Sequence, residues 1–151
     1  MSPNRLPELQ GIRHDHQDVL ELSRKIRAGM GADVAPDRIQ RYCRRFLKWH
    51  LRPHFEVEER ALFPIIGMDH PLVRKAMAGH RRLQRLINGR GDPEVALSLI
   101  EEELEAQVRL EERELLACIL DAATPGQLAE VMRAHAALPE HALHGHDVFW
   151  K

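Results

Sequence analysis

The sequence predicts an all-α protein, an antiparallel up-down four-helix bundle with an additional short C-terminal helix. Three observations carry this expectation. Apolar residues recur at helical spacing in four long segments and one short one. Clusters of Gly and Pro separate these segments by only a few residues, which makes successive helices antiparallel neighbours. No segment sustains the alternation of a strand.

The first segment, about residues 8 to 28, places Ile12, Val19 and Ile26 on one stripe, and His16 and Ser23 fall on the same stripe. Gly29, Gly31 and Pro36 break the chain after it. The second, about 37 to 66, carries Ile39, Cys43, Phe46, Val57, Leu62 and Ile65, with His50, His54 and Glu58 among them. Pro53 lies inside this segment; lacking an N–H and crowding the preceding turn, it predicts a kink or a boundary near Arg52. After a break at Gly67 to Pro71, the third segment, about 72 to 88, has Val73, Met77, Leu83 and Ile87 with His80 on their face. The fourth, about 93 to 121, opens with Asp92 as N-cap and Pro93 in the first turn. Its stripe is Leu97, Ile100, Leu104, Val108, Leu115 and Ile119, with Gln107 and Glu111 between. A fifth segment, about 125 to 138, starts at Thr124-Pro125. The bundle thus covers about 8 to 121 and the C-terminal helix and tail about 125 to 151, within a single domain spanning 1 to 151.

A chain of 151 residues can bury a full core without disulfides or a structural metal. A net charge of -1 gives no bulk attraction to nucleic acid or to an anionic membrane, and neither is expected as a partner. No apolar run is long enough to span a bilayer. The opening MSPNRLPELQ has no apolar signal segment, and Cys43 and Cys118 are too few for a disulfide scaffold, so a reducing, cytoplasmic setting is expected. Histidine is the departure from ordinary composition, with ten in the chain.

Each of the four long segments carries a metal-capable side chain on its apolar stripe: His16, then His54 and Glu58, then His80, then Glu111. Residues four apart share a helix face about 6 Å apart along the axis, so His54 and Glu58 enter the core together, and Gln107 and Glu111 repeat the spacing. A lone histidine on an apolar face is usually a satisfied core residue, and a lone glutamate is usually paired with Arg or Lys. Five such residues near the middle of four stripes are poorly explained that way. A divalent cation removes the penalty of burying the carboxylates, and the mixed nitrogen and oxygen donors suit iron, manganese or zinc. Glu59 and Glu112 turn about 100° away from their neighbours and are expected to be solvated or to support a ligand from behind. His14 lies about 200° around the helix from His16, and the apolar stripe belongs to His16.

HFEVEERALFP resembles the second-helix signature of hemerythrin-like (HHE cation-binding) domains. EAQVRLEERELL resembles their fourth-helix signature, RHDHQDVL the first and AGHRRLQRL the third. The second-helix motif is the most specific of these. The resemblance implies a non-haem di-iron centre bridged by carboxylates in a four-helix bundle. It places ligands at His16, His54, Glu58, His80 and Glu111, with Glu58 and Glu111 bridging. At the remaining position the family has histidine and this chain has Gln107; Ala76, four before His80, also lacks the additional histidine of the oxygen carriers. An amide oxygen is a poor ligand beside imidazole. The expected centre therefore holds one iron, or two with water or an unusual ligand filling the gap, or binds metal weakly. His50, four before His54, is a candidate replacement; its plain alternative is a rim residue hydrogen-bonded to solvent or backbone.

The tail HALHGHDVFWK holds His141, His144 and His146 with Asp147, either a second metal site or a solvated tail whose Phe149 and Trp150 dock on the bundle. Arg81, Arg82, Arg85 and Arg90 form a basic edge, which is usually a solvated face.

The functional expectation is a non-haem iron protein that binds or senses oxygen, nitric oxide or redox state, or handles iron, as a monomer or homodimer. A di-iron oxidase or peroxidase-like enzyme is the alternative, but the Glu-x2-His pairs of ferritin-like sites are missing, so an enzyme is the weaker expectation. A metal-depleted helical interaction module is the third, supported by Gln107.

Overall fold

The computed structural model describes residues 6–139 and 147–151. Among them there are helices and no strands. Helix α1 is Pro7–Gly31. Helix α2 is the continuous run 36–65, α3 is Pro71–Asn88, α4 is the run 93–122 and α5 is Pro125–Ala136. None is long and apolar enough to cross a membrane.

Helix starts follow the local chemistry read from the sequence. The Asp92 carboxylate accepts from the Glu94 N–H at 3.0 Å, with Pro93 behind it in the first turn. Thr124 and Gln127 exchange hydrogen bonds as a capping box that opens α5. At α3 the cap is His70, whose Nδ1 accepts from the Leu72 N–H at 3.1 Å.

Cross-helix pairs set the direction of packing. His16, Ser23 and Arg27 on α1 meet Glu112, Glu105 and Glu101 on α4, ascending against descending numbers. The same antiparallel sense joins α1 to α2 through Asp15–His54 and Asp18–His50, and α3 to α4 through His80–Glu111 and Arg82–Glu103. Helix α5 lies across α1 and the second half of α2.

The core is divided in two. One apolar cluster gathers Val19, Leu22, Ile26, Ile39, Phe46, Leu83, Ile87, Leu97, Ile100 and Leu104. The other gathers Leu9, Ile12, Leu62, Phe63, Val73, Leu115, Ile119 and Val131. Fully burying each such side chain stabilises the fold by about 1.5–3 kcal/mol. Between the clusters lies a buried polar layer of His16, His54, Glu58, His80, Gln107 and Glu111.

Helices α2 and α4 are locally widened. The Arg52 N–H bonds the Leu47 carbonyl, Phe63 bonds Glu58, and Leu116 bonds Glu111, each reaching five residues back rather than four. The irregularity expected near Arg52 is therefore a π-turn, Leu47–Leu51, and the helix runs on through Pro53. The other two π-turns, Glu58–Leu62 and Glu111–Leu115, each begin at a buried glutamate of the polar layer.

At the far end of the bundle residues 147–151 close the core. Phe149 is fully buried and meets Tyr42 edge-on at 5.1 Å, and Trp150 lies under the Lys25 ammonium. A Cβ on Gly29 would stand 2.7 Å from the Phe149 ring, so this docking requires glycine there. Arg38 holds Asp147 through both carboxylate oxygens. Phe149 and Trp150 thus dock as the tail alternative expected. His141, His144 and His146 lie outside the described residues.

Candidate metal centre

The polar layer takes one contribution from each bundle helix. His16 comes from α1, His54 and Glu58 from α2, His80 from α3, and Gln107 and Glu111 from α4. The spacing of four on α2 works as expected: His54 Nε2 stands 3.1 Å from Glu58 Oε1.

Each carboxylate presents one oxygen to each of two sides. On the first side, His16 Nε2 is 3.4 Å from Glu58 Oε2 and 3.0 Å from Glu111 Oε1. On the second, His80 Nε2 is 3.2 Å from Glu58 Oε1 and 3.2 Å from Glu111 Oε2. Ligand atoms of His16, His54, Glu58 and Glu111 lie within 4.8 Å of one another, a set without His80, while His54 Nε2 meets Glu58 Oε1, the oxygen that His80 also approaches; His54 thus stands between the two sides. Donors bound to a common cation at about 2.1 Å stand about 3.0–3.4 Å apart, and these separations fall in that range.

Behind every imidazole stands a carboxylate. Nδ1 of His16 is 2.7 Å from Glu112, Nδ1 of His54 is 2.9 Å from Asp15, and Nδ1 of His80 is 2.7 Å from Glu59. Such a partner holds the proton on Nδ1 and frees the Nε2 lone pair for a cation. Each supporting carboxylate is the chain neighbour of a residue in the layer: Asp15 of His16, Glu59 of Glu58, Glu112 of Glu111. One residue is about 100° of helix, so a side chain next to a core position sits at the seam, where it reaches the adjacent helix.

Burial opposes charge on all three imidazoles, but the carboxylates outweigh it. His54 is raised to about 9 by Glu58 and Asp15 against the effect of burial. Burial likewise works against His16 and His80, and their hydrogen bonds to Glu111 and its neighbours hold both well above the ordinary histidine range. Glu58 is held well below the usual carboxylate range, since the His54 charge beside it outweighs burial.

The residues fit a metal ion. Glu58 Oε1 is fully buried with two ring nitrogens within 3.2 Å, yet it accepts no well-directed hydrogen bond. The nitrogens approach this oxygen without pointing at it, as donors gathered around a shared cation do. Two buried carboxylates also require positive charge, which protons on the imidazoles or a divalent cation can supply.

Two sequence candidates stand differently from the other five. Gln107 donates from Nε2 to the Ala76 carbonyl at 3.1 Å and to Glu111 Oε2 at 2.7 Å. Two acceptors around one nitrogen fix the amide orientation, so the NH2 faces the layer and the oxygen packs toward Gly79. A Cβ on Gly79 would be 1.9 Å from that oxygen. His50 does not enter the layer as a replacement ligand. It stacks on Phe46, pairs with Asp18 at 3.0 Å and stays at the rim, one turn away from His54. Glu59 and Glu112 take the supporting role that was one of their two expected readings, whereas Asp15 was missed. Its signal was available in its place beside His16.

A void of about 10 Å³ adjoins the layer, walled by Val19, Leu51, Phe55, Leu83 and Val108 next to His16, His54 and Glu111. That is about the size of one water or a diatomic molecule. The larger clefts around Arg41 and Arg90, and around Trp49 and His135, are lined by none of the five His and Glu side chains of the layer.

A four-helix bundle with histidines and glutamates buried in its midplane defines a class of cation-binding helical proteins. The profile of the hemerythrin HHE cation binding domain matches residues 9–145, and the chain belongs to this family. No curated protein and no solved structure gives a significant match.

Proposed function

We propose that this protein holds non-haem iron in the layer of His16, His54, Glu58, His80 and Glu111 and uses it to bind or sense oxygen or nitric oxide. The observation that carries the reading is Glu58 Oε1, buried between two imidazole nitrogens and satisfied by neither. Iron bound there supplies a redox-active centre with affinity for small neutral ligands. The protein side chains supply the selectivity. Val19, Leu51, Phe55, Leu83 and Val108 keep the adjoining void apolar and too small for an organic substrate. This favours a binder or sensor over an oxidase. Glu112, Asp15 and Glu59 keep the three Nε2 atoms turned inward. The free cysteines, Cys43 buried and Cys118 partly so, fit a reducing cytoplasmic setting.

Three imidazoles serve the two sides of the layer, and the Gln107 amide donates to Glu111 Oε2 on the side of His80. The expectation is one firmly held iron per chain and a second held less tightly. Elemental analysis of aerobically purified protein tests the reading, with between one and two irons per chain expected on this ligand count. Folded protein that takes up no iron overturns it. Nitric oxide added to the reduced, loaded protein is expected to change its visible spectrum. Loss of that change in Glu58→Gln ties it to the layer.

A further inference from the structure

A second cluster of metal-capable side chains lies outside the core layer, where α1 and α2 face solvent. It consists of Asp15 and Asp18 on α1 and His50 on α2, with one ligand atom of each within 4.8 Å of the others. His50 Nε2 is 3.0 Å from Asp18 Oδ2 and 3.8 Å from Asp15 Oδ1. Asp15 divides its oxygens between two tasks. Its Oδ2 accepts from His54 Nδ1 at 2.9 Å and from His135 Nε2 at 2.7 Å. No hydrogen bond engages Oδ1 among the described residues, and this is the oxygen turned toward His50. The three side chains line a cleft of about 490 Å³ that also includes Trp49 and His135.

We propose that Asp15, Asp18 and His50 form a second, solvent-accessible site for a divalent transition-metal cation, separate from the core layer. Two carboxylates alone would be an ordinary surface feature. The imidazole set between them adds a nitrogen donor, which favours zinc, ferrous iron or manganese over calcium or magnesium. Three protein donors beside an open cleft leave room for water ligands, the arrangement of an exchangeable site. Nδ1 of His50 is buried without a partner. A cation on Nε2 moves the ring proton to that unpartnered nitrogen, so binding here is weaker than in the core, where every Nδ1 has its carboxylate. The site shares Asp15 with the core, one carboxylate away from His54. The inference rests on the core layer being the resident metal site.

The test is calorimetric titration of the iron-loaded protein with zinc, compared with Asp18→Asn and His50→Gln. Asp18 and His50 are half-buried at the rim and neither contacts a core ligand, so both variants are expected to fold and to keep their iron. The expected result is a zinc equivalent on the parent protein that weakens about tenfold or more in each variant, as loss of one ligand predicts, with iron content unchanged. Zinc binding that is identical in all three proteins, or absent from the parent, overturns the proposal. The two readings fail separately. If the purified protein holds no iron, the core reading fails, and the same titration of metal-free chain still separates equivalents lost in Asp18→Asn from those lost in Glu58→Gln.

Discussion

Glu59 Oε2 stands 2.7 Å from Nδ1 of His80, although the two residues lie on different helices and only His80 belongs to the buried layer. The contact sets which ring nitrogen of His80 faces the carboxylates. Glu59→Gln keeps the shape and removes the charge that holds the Nδ1 proton. Iron affinity is expected to fall about 10–100-fold with the helical fold intact. Competition with a chelator measures it, and unchanged affinity would mean that the Phe55 and Phe63 rings stacked on His80 orient it unaided.

Gln107 stands on the His80 side of the layer and offers a donor where a metal needs an acceptor. Gln107→His replaces that donor with an imidazole. The iron content after loading is expected to rise toward two per chain, the number the paired carboxylates can bridge. Gln107→Leu is expected to leave it at about one, because the amide supplies no ligand atom. Equal iron content in all three proteins would show that this position does not limit the centre.

Gly79 and Gln107 form a packing pair. A Cβ at position 79 would come within 1.9 Å of the amide oxygen, so Gly79→Ala must displace Gln107 and its bond to Glu111. The expected loss is about 1–3 kcal/mol in urea unfolding, the usual range for overpacking. Adding Gln107→Ala makes room for the methyl group, and the double-mutant cycle should show strong positive coupling. Strictly additive effects would refute the contact.

The metal-free protein should be most stable in mildly acidic solution. His54 is raised from an ordinary value of 6.5 to about 9, and His16 and His80 move in the same direction. A raised histidine contributes stability that is fully present below 6.5 and is lost as pH climbs through its folded value, about 9 for His54. Glu58 and Asp15 are lowered, so their contribution is present above their ordinary values of 4.5 and 3.8 and is lost on further acidification. Thermal unfolding across pH is therefore expected to peak between the carboxylate and histidine ranges and to decline toward pH 9, near the folded value of His54. Metal displaces the same protons, so loading should release them and flatten the alkaline decline. A metal-free melting temperature that rises between neutral pH and the folded value of His54, about 9, would contradict the charge state assigned to the layer.

The five helices and the five inward His and Glu side chains were legible in the chain because helical periodicity is local. A residue four positions from another shares its face in any helix, and caps such as Asp92 and Thr124 act within their own first turn. The π-turns were not legible. Nothing in the spacing of Glu58 or Glu111 marks a five-residue reach, and Pro53 signalled an irregularity without its form. Asp15 carries one local mark, its place beside His16, but its role appears only when α2 brings His54 alongside it.

By itself the sequence determined the all-α class, the order and limits of the helices, and which side chains face inward, since each depends on neighbours within a turn or two. Tertiary structure alone decided which nitrogen meets which oxygen. It set His54 against the Glu58 oxygen that His80 also approaches, turned the Gln107 amide nitrogen toward Glu111, and left His50 at the rim with Asp18. Those outcomes depend on the rotation of four helices about their axes. A single inserted residue in a π-turn shifts that rotation by about 100°, so they arise between helices and not within any one of them.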